Sequence, residues 1–101
     1  MPVDLISTGP VHAAGSLLLA HGAGVDSRSP FMQAMANGLA NLNWQVHRFD
    51  FPYIVNRRLS GQKSLPNRPE VLLNAFKEAV DQIDQDRPLV IGGKSMGGRI
   101  A

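Results

Sequence analysis

A serine fenced by glycines limits what this chain can become more than any other stretch. Pro88-Leu89-Val90-Ile91-Gly92-Gly93-Lys94-Ser95-Met96-Gly97-Gly98-Arg99 reads as a short apolar strand running into a sharp turn and a helix start. Within it, Gly93-Lys94-Ser95-Met96-Gly97 fits G-x-S-x-G, the pattern of a nucleophile elbow. A serine on a tight strand-to-helix turn sits at strained backbone angles, and bulky neighbours would collide there. The helix that follows aims its free amides at the same spot, where an oxyanion can form. A glycine-rich turn that merely joins a strand to a helix is the plainer reading of the motif alone. A phosphate-binding loop, G-x-x-x-x-G-K-[ST], shares Gly93-Lys94-Ser95. It needs a glycine at position 88, which is Pro88, and a flexible loop where Leu89, Val90 and Ile91 are strand formers. Nucleotide binding is set aside on those two grounds.

The composition suits one soluble globular unit: 101 residues, 44% of them hydrophobic. A net charge of +2 and the lack of a basic stripe interleaved with aromatics give nucleic-acid binding no support. With no cysteine, neither disulfides nor thiolate metal sites are available. The N-terminal residues do not read as a signal peptide, and no apolar run approaches a membrane span. A cytoplasmic protein is the expectation.

Upstream of the elbow, residues 1–15 are weakly patterned, with Leu5-Ile6 the one candidate strand core before the Gly9-Pro10 breaker. Ser16-Leu17-Leu18-Leu19-Ala20 is a continuous apolar run, too short for a buried helix and suited to a strand covered on both faces. His21-Gly22-Ala23-Gly24 follows at that strand's end. Its glycines let the backbone bend close to whatever lies above the sheet edge. An acyl-transfer site needs its second oxyanion donor there, an amide just after such an H-G pair. His21 itself reads as a structural histidine that ties the turn through its ring nitrogens. A catalytic base must reach the hydroxyl from a loop of its own, and His21 is committed to the loop carrying the hole.

Ser29 and Pro30 read as the cap and first residue of a helix. Phe31, Met35, Leu39 and Leu42 form its expected apolar stripe, Met32 flanks it, and Asn41-Leu42-Asn43 closes it. Trp44 to Phe51 reads as a strand with mixed faces. Asp50, near its end, is either a polar group of a pocket wall or a partner for Arg48 or the loop. Residues 52–69 lack periodicity and read as a long loop. Its cations Arg57, Arg58, Lys63 and Arg68 are either simply solvated or a positive rim for an anionic substrate. Pro69-Glu70 then opens a second helix with Leu72, Leu73, Phe76, Val80 and Ile83 along one side.

Strand, helix, strand, loop, helix, strand and elbow in alternation predict an α/β fold with a parallel sheet and helices on its faces. Both glycine-rich turns then lie at one edge of that sheet, as acyl transfer requires. In Leu19-Ala20-His21-Gly22-Ala23-Gly24, Arg48-Phe49-Asp50-Phe51-Pro52-Tyr53 and Gly92-Gly93-Lys94-Ser95-Met96-Gly97-Gly98-Arg99 the chain resembles the α/β-hydrolase superfamily. It looks like one branch in particular, that of dienelactone-hydrolase-like proteins, which includes the hydrolase-like domains of testis-expressed protein thirty and the third NSL-complex regulatory subunit. The resemblance runs from Ser16 onward. It implies a Ser-Asp-His triad acting on esters or related small acyl compounds, with Ser95 as nucleophile and the amides of Ala23 and Met96 at the oxyanion. His21, Gly22, Gly24, Gly93 and Gly97 support the two motifs, and no metal or organic cofactor is implied.

In α/β-hydrolases the acid and the histidine follow the serine, whereas only six residues follow Ser95 in this sequence. The expectation is therefore the amino-terminal portion, residues 1–101, of one α/β-hydrolase domain. It would be half of a three-layer αβα sandwich, with its last strand left as an unpaired apolar edge. His12 lies upstream, His47 is mid-strand, and His21 belongs to the turn, so none supplies the base. The isolated chain is expected to be inactive, and a parent about twice as long to be a serine hydrolase. A non-catalytic scaffold of the same fold is the competing function, because fold alone does not establish chemistry. Ser95 at the elbow favours the enzyme.

Overall fold

The computed structural model describes residues 3–62 and 65–101. Its strands are β1 (Ile6–Thr8), β2 (Gly15–Ala20), β3 (Trp44–Phe49) and β4 (Leu89–Gly93), and its helices are α1 (Pro30–Ala40), α2 (Pro52–Ser60), α3 (Pro69–Gln82) and α4 (Met96–Ile100). The strands form one sheet in the order β1-β3-β2-β4. β2 pairs in parallel with both β3 and β4, as the alternation of elements predicts. β1 departs from the expected parallel sheet: it joins antiparallel to β3, so the sheet is mixed.

The apolar run of β2 explains the layering. Successive side chains of a strand point to opposite faces. Leu18 and Ala20 pack into a cluster with Phe49, Leu72, Ala75, Phe76, Ala79 and Ile83, on the α3 side. Leu19 packs with Met32, Ala36 and Val46, on the α1 side, with Leu17, Leu39 and Trp44 against them. Helices therefore cover both faces. Burying a side chain such as Leu18, which has no exposed surface, contributes about 2 kcal/mol of apolar transfer.

Two expectations about helices need correction. In α1 the cap is as expected, Ser29 Oγ accepting from the Met32 amide behind Pro30. The buried stripe, however, is Met32 and Ala36 with Leu39 partly covered, whereas Phe31, Met35 and Leu42 face outward. A rotation by one residue puts the smaller Ala36 against β3, where the helix can approach the sheet closely. The second correction is α2, in a stretch that reads as loop. Pro52 occupies the first turn, Tyr53 and Ile54 are buried, and Gly61 ends the helix at φ 71°. Nine residues with one short apolar contact leave too little periodicity to read. Arg57 and Arg58 stand in its last turn, facing the carbonyl end of the helix dipole. Lys63 of the expected basic rim lies outside the described residues.

Among the described residues β4 hydrogen-bonds to β2 alone and forms an edge of the sheet, with Val90 and Ile91 each more than two-fifths exposed. That matches the expected open apolar edge.

Candidate active site

The parallel register sets the ends of three strands level. Ala20 of β2 stands opposite Phe49 of β3 and Gly93 of β4. The His21-Gly22 turn, Asp50 and the Lys94-Ser95 turn therefore leave the sheet at one edge.

Ser95 has φ 53° and ψ −113°. Such a backbone costs a non-glycine residue about 1–3 kcal/mol and persists only where the surroundings hold it. Here they do. The Lys94 amide donates to the Ala20 carbonyl at 3.0 Å, Gly97 N to Lys94 O at 3.0 Å, and Arg99 N to Ser95 O at 3.1 Å. The flanking glycines are required sterically. A methyl group on Gly97 would lie 2.5 Å from the carbonyl oxygens of Ala20 and His21, and one on Gly93 2.5 Å from the Gly97 carbonyl carbon. The turn is thus pressed against the end of β2, with the Ser95 side chain exposed.

The H-G turn meets the elbow at Gly22. A methyl group there would sit 3.4 Å from the Lys94 carbonyl oxygen and 3.8 Å from Ser95 Cβ. A methyl group on Gly24 would meet nothing within 4 Å, so its lack of a side chain answers to no contact among the described residues. His21 has no exposed surface and is held at both ring nitrogens. Nδ1 lies 2.6 Å from the Gly22 carbonyl oxygen, and the Phe51 amide donates to Nε2 at 3.1 Å. A carbonyl only accepts and an amide only donates, so the ring is neutral with its proton on Nδ1. Burial pushes its pKa down, outweighing the Gly22 carbonyl and the more distant Asp50 and Asp26, which pull upward. With both nitrogens engaged, His21 has none left for a serine hydroxyl.

The other histidines stand elsewhere. His47 Nδ1 is hydrogen-bonded to Ser7 Oγ at 2.8 Å across the β1–β3 pair, and His12 is exposed between β1 and β2. Asp50 binds the loop, one of the roles open to it in the sequence. It also lines a cavity of about 450 Å³ with Arg28, Pro52, Val55 and Arg58, whose walls include neither Ser95 nor Ala23. Its Oδ1 accepts from the Ser27 amide at 2.8 Å and its Oδ2 from Arg58 at 2.9 Å. Burial raises the Asp50 pKa, but those hydrogen bonds and the Arg58 charge outweigh it and hold the group below the usual carboxylate range. Arg48 turns to the Ser27 carbonyl at 2.9 Å instead. Of the expected rim, Arg58 is spent on Asp26 and Asp50, while Arg57 lies over the Tyr53 ring at 5.8 Å.

Two contacts at this edge were not legible as parts of a site. The Lys94 ammonium lies 4.7 Å from the centre of the Phe31 ring, which gives the outward Phe31 a partner on the elbow. The Tyr53 hydroxyl donates to the Ala23 carbonyl at 2.9 Å. A tyrosine in a stretch read as loop gave no signal beyond its place in Phe51-Pro52-Tyr53.

A family model described as an alpha/beta hydrolase domain matches residues 13–101. The chain belongs to the α/β-hydrolase family. No curated protein matches it. In this α/β-hydrolase chain, the described residues include no cluster of three or more His, Cys, Asp or Glu fit to hold a metal ion, and no helix long and apolar enough to cross a membrane.

Proposed function

We propose that this α/β-hydrolase chain carries the nucleophile and oxyanion hole of a serine hydrolase acting on carboxylic esters or related small acyl compounds. The observation that carries the reading is Ser95 at φ 53° with Gly22 packed beside it. In the proposed reaction Ser95 Oγ attacks the acyl carbon, and its proton passes to a histidine base. The carbonyl π pair moves onto oxygen, and the resulting oxyanion accepts from the amides of Ala23 and Met96. Collapse expels the alcohol, which takes the proton from the base and leaves an acyl-serine. Water activated by the same base then releases the acid. His12, His21 and His47 are unsuited to that base by position or by partner, so the reaction needs a histidine that these 101 residues do not supply. The three quoted motifs favour the dienelactone-hydrolase-like branch. A cysteine-free chain makes no demand on an oxidising compartment, in keeping with a cytoplasmic location.

A fluorophosphonate probe on the full-length protein tests this. We expect labelling at Ser95, lost in Ser95→Ala, with p-nitrophenyl acetate turnover lost alongside it. The 101-residue chain alone is expected to be inert. A full-length protein that does not label is a scaffold, and labelling that survives Ser95→Ala places the nucleophile elsewhere.

A further inference from the structure

The loop that presents Ala23 is fixed by side chains on either side of that residue. A trans peptide points its C=O and its N–H in opposite directions. The carbonyl of Gly22 is held by His21 Nδ1–H, so the N–H of Ala23, in the same peptide plane, is directed away from the buried ring. The next plane holds the Ala23 carbonyl and the Gly24 amide, and there the grip comes from α2, through the Tyr53 hydroxyl at 2.9 Å. Tyr53 is only 1% exposed, and its ring meets the His21 ring edge-on at 6.0 Å between centroids. Burial raises its pKa, which keeps the phenol a donor. Its own amide donates to Asn67 Oδ1 at 2.9 Å, tying the start of α2 to the segment just before α3. Ala23 and Gly24 are both exposed, and a methyl group on Gly24 would meet nothing within 4 Å, so packing does little to fix the plane between them.

We propose that Tyr53 is a positioning residue for the oxyanion loop: its hydroxyl holds the peptide plane after Ala23 while His21 holds the plane before it, so that the Ala23 residue cannot swing between them and its amide keeps its aim. This rests on the serine-hydrolase reading above. Donors contribute most when they are oriented before charge develops, and a displacement of about 1 Å near a reacting group can cost on the order of 100-fold in rate.

Tyr53→Phe removes one oxygen and keeps the ring, and we would examine it in the full-length protein by two readouts. The first needs no turnover. The Ala23 carbonyl ¹³C resonance should move upfield, and the backbone order parameters of Ala23 and Gly24 should fall, while amide exchange in α3 is unchanged. The second is kinetic: kcat for p-nitrophenyl acetate should fall about 10- to 100-fold with KM within about twofold. Unchanged Ala23 and Gly24 resonances and order parameters overturn the proposal. So does a changed loop with unchanged kcat, or a loss confined to KM. If amide exchange in α3 accelerates as well, the hydroxyl is a general stabiliser and the positioning role is wrong. A wild-type protein with no labelling at Ser95 overturns the hydrolase reading instead, recognisable because the loop resonances still respond to Tyr53→Phe.

Discussion

At Ser95 the backbone is one that glycine adopts with less strain. Replacing Ser95 by Gly should therefore abolish probe labelling yet raise stability by about 1 kcal/mol, the relieved strain exceeding the added freedom of the unfolded chain. A urea midpoint that falls instead would show that the elbow is not strained. The titrating residues behave differently. His21 and His47 are both pushed below their ordinary 6.5 by burial, with Arg87 adding to the shift at His47. The unfolded chain therefore binds protons first as pH falls, so stability is full above about pH 6.5 and declines below it. His21→Gln should flatten that decline between pH 6.5 and 5 in urea melts, at the expense of stability at pH 7.5. Asp50 adds a second loss below its ordinary 3.8, since its folded pKa is lower still. The spacing G-x-S-x-G was legible because strain has a sequence signature. The Tyr53 contact was not, since a hydroxyl 30 positions from its acceptor leaves none.

Glycines in the helices separate two uses of the same residue. Gly97 in α4 faces two carbonyl oxygens at a distance that admits no methyl group, so Gly97→Ala should cost at least about 3 kcal/mol or prevent folding. Gly38 in α1 is exposed with open space around it, and Gly38→Ala should stabilise by about 0.5–1 kcal/mol through helix propensity. Thermal melts of the pair decide the matter; equal effects would contradict the close packing of α4 on β2. At this scale the existence of α3 and the capped start of α1 were readable, although Leu73, expected on the inner side of α3, faces outward and Ala75 and Ala79 are buried instead. The buried face of α1 was not, because Phe31-Met32 and Met35-Ala36 offer two adjacent stripes of similar hydrophobicity, and contact with β3 chooses between them. α2 escaped because Tyr53 and Ile54 are its only buried residues, too few to show a period.

For the molecule as a whole, the sheet has one conspicuous open side. β4 presents unpaired backbone groups with Val90 and Ile91 exposed beside them, a template for another strand. The 101-residue chain should self-associate with rising concentration, and Val90→Lys should suppress this in light scattering without lowering the melting temperature; undiminished scattering would place the sticky surface elsewhere. The order of elements, the two glycine-rich turns and the both-sides-buried β2 were determined by the sequence itself, because period, strain and steric need are local properties of neighbouring residues. The antiparallel seat of β1, the side of α1 that faces inward, the commitment of both His21 nitrogens and the reach of Tyr53 to the Ala23 carbonyl were decided only in three dimensions. Each depends on groups distant in the chain competing for one partner, and the winner is fixed by the packing of the sheet edge, where no stretch of sequence contains all the contestants.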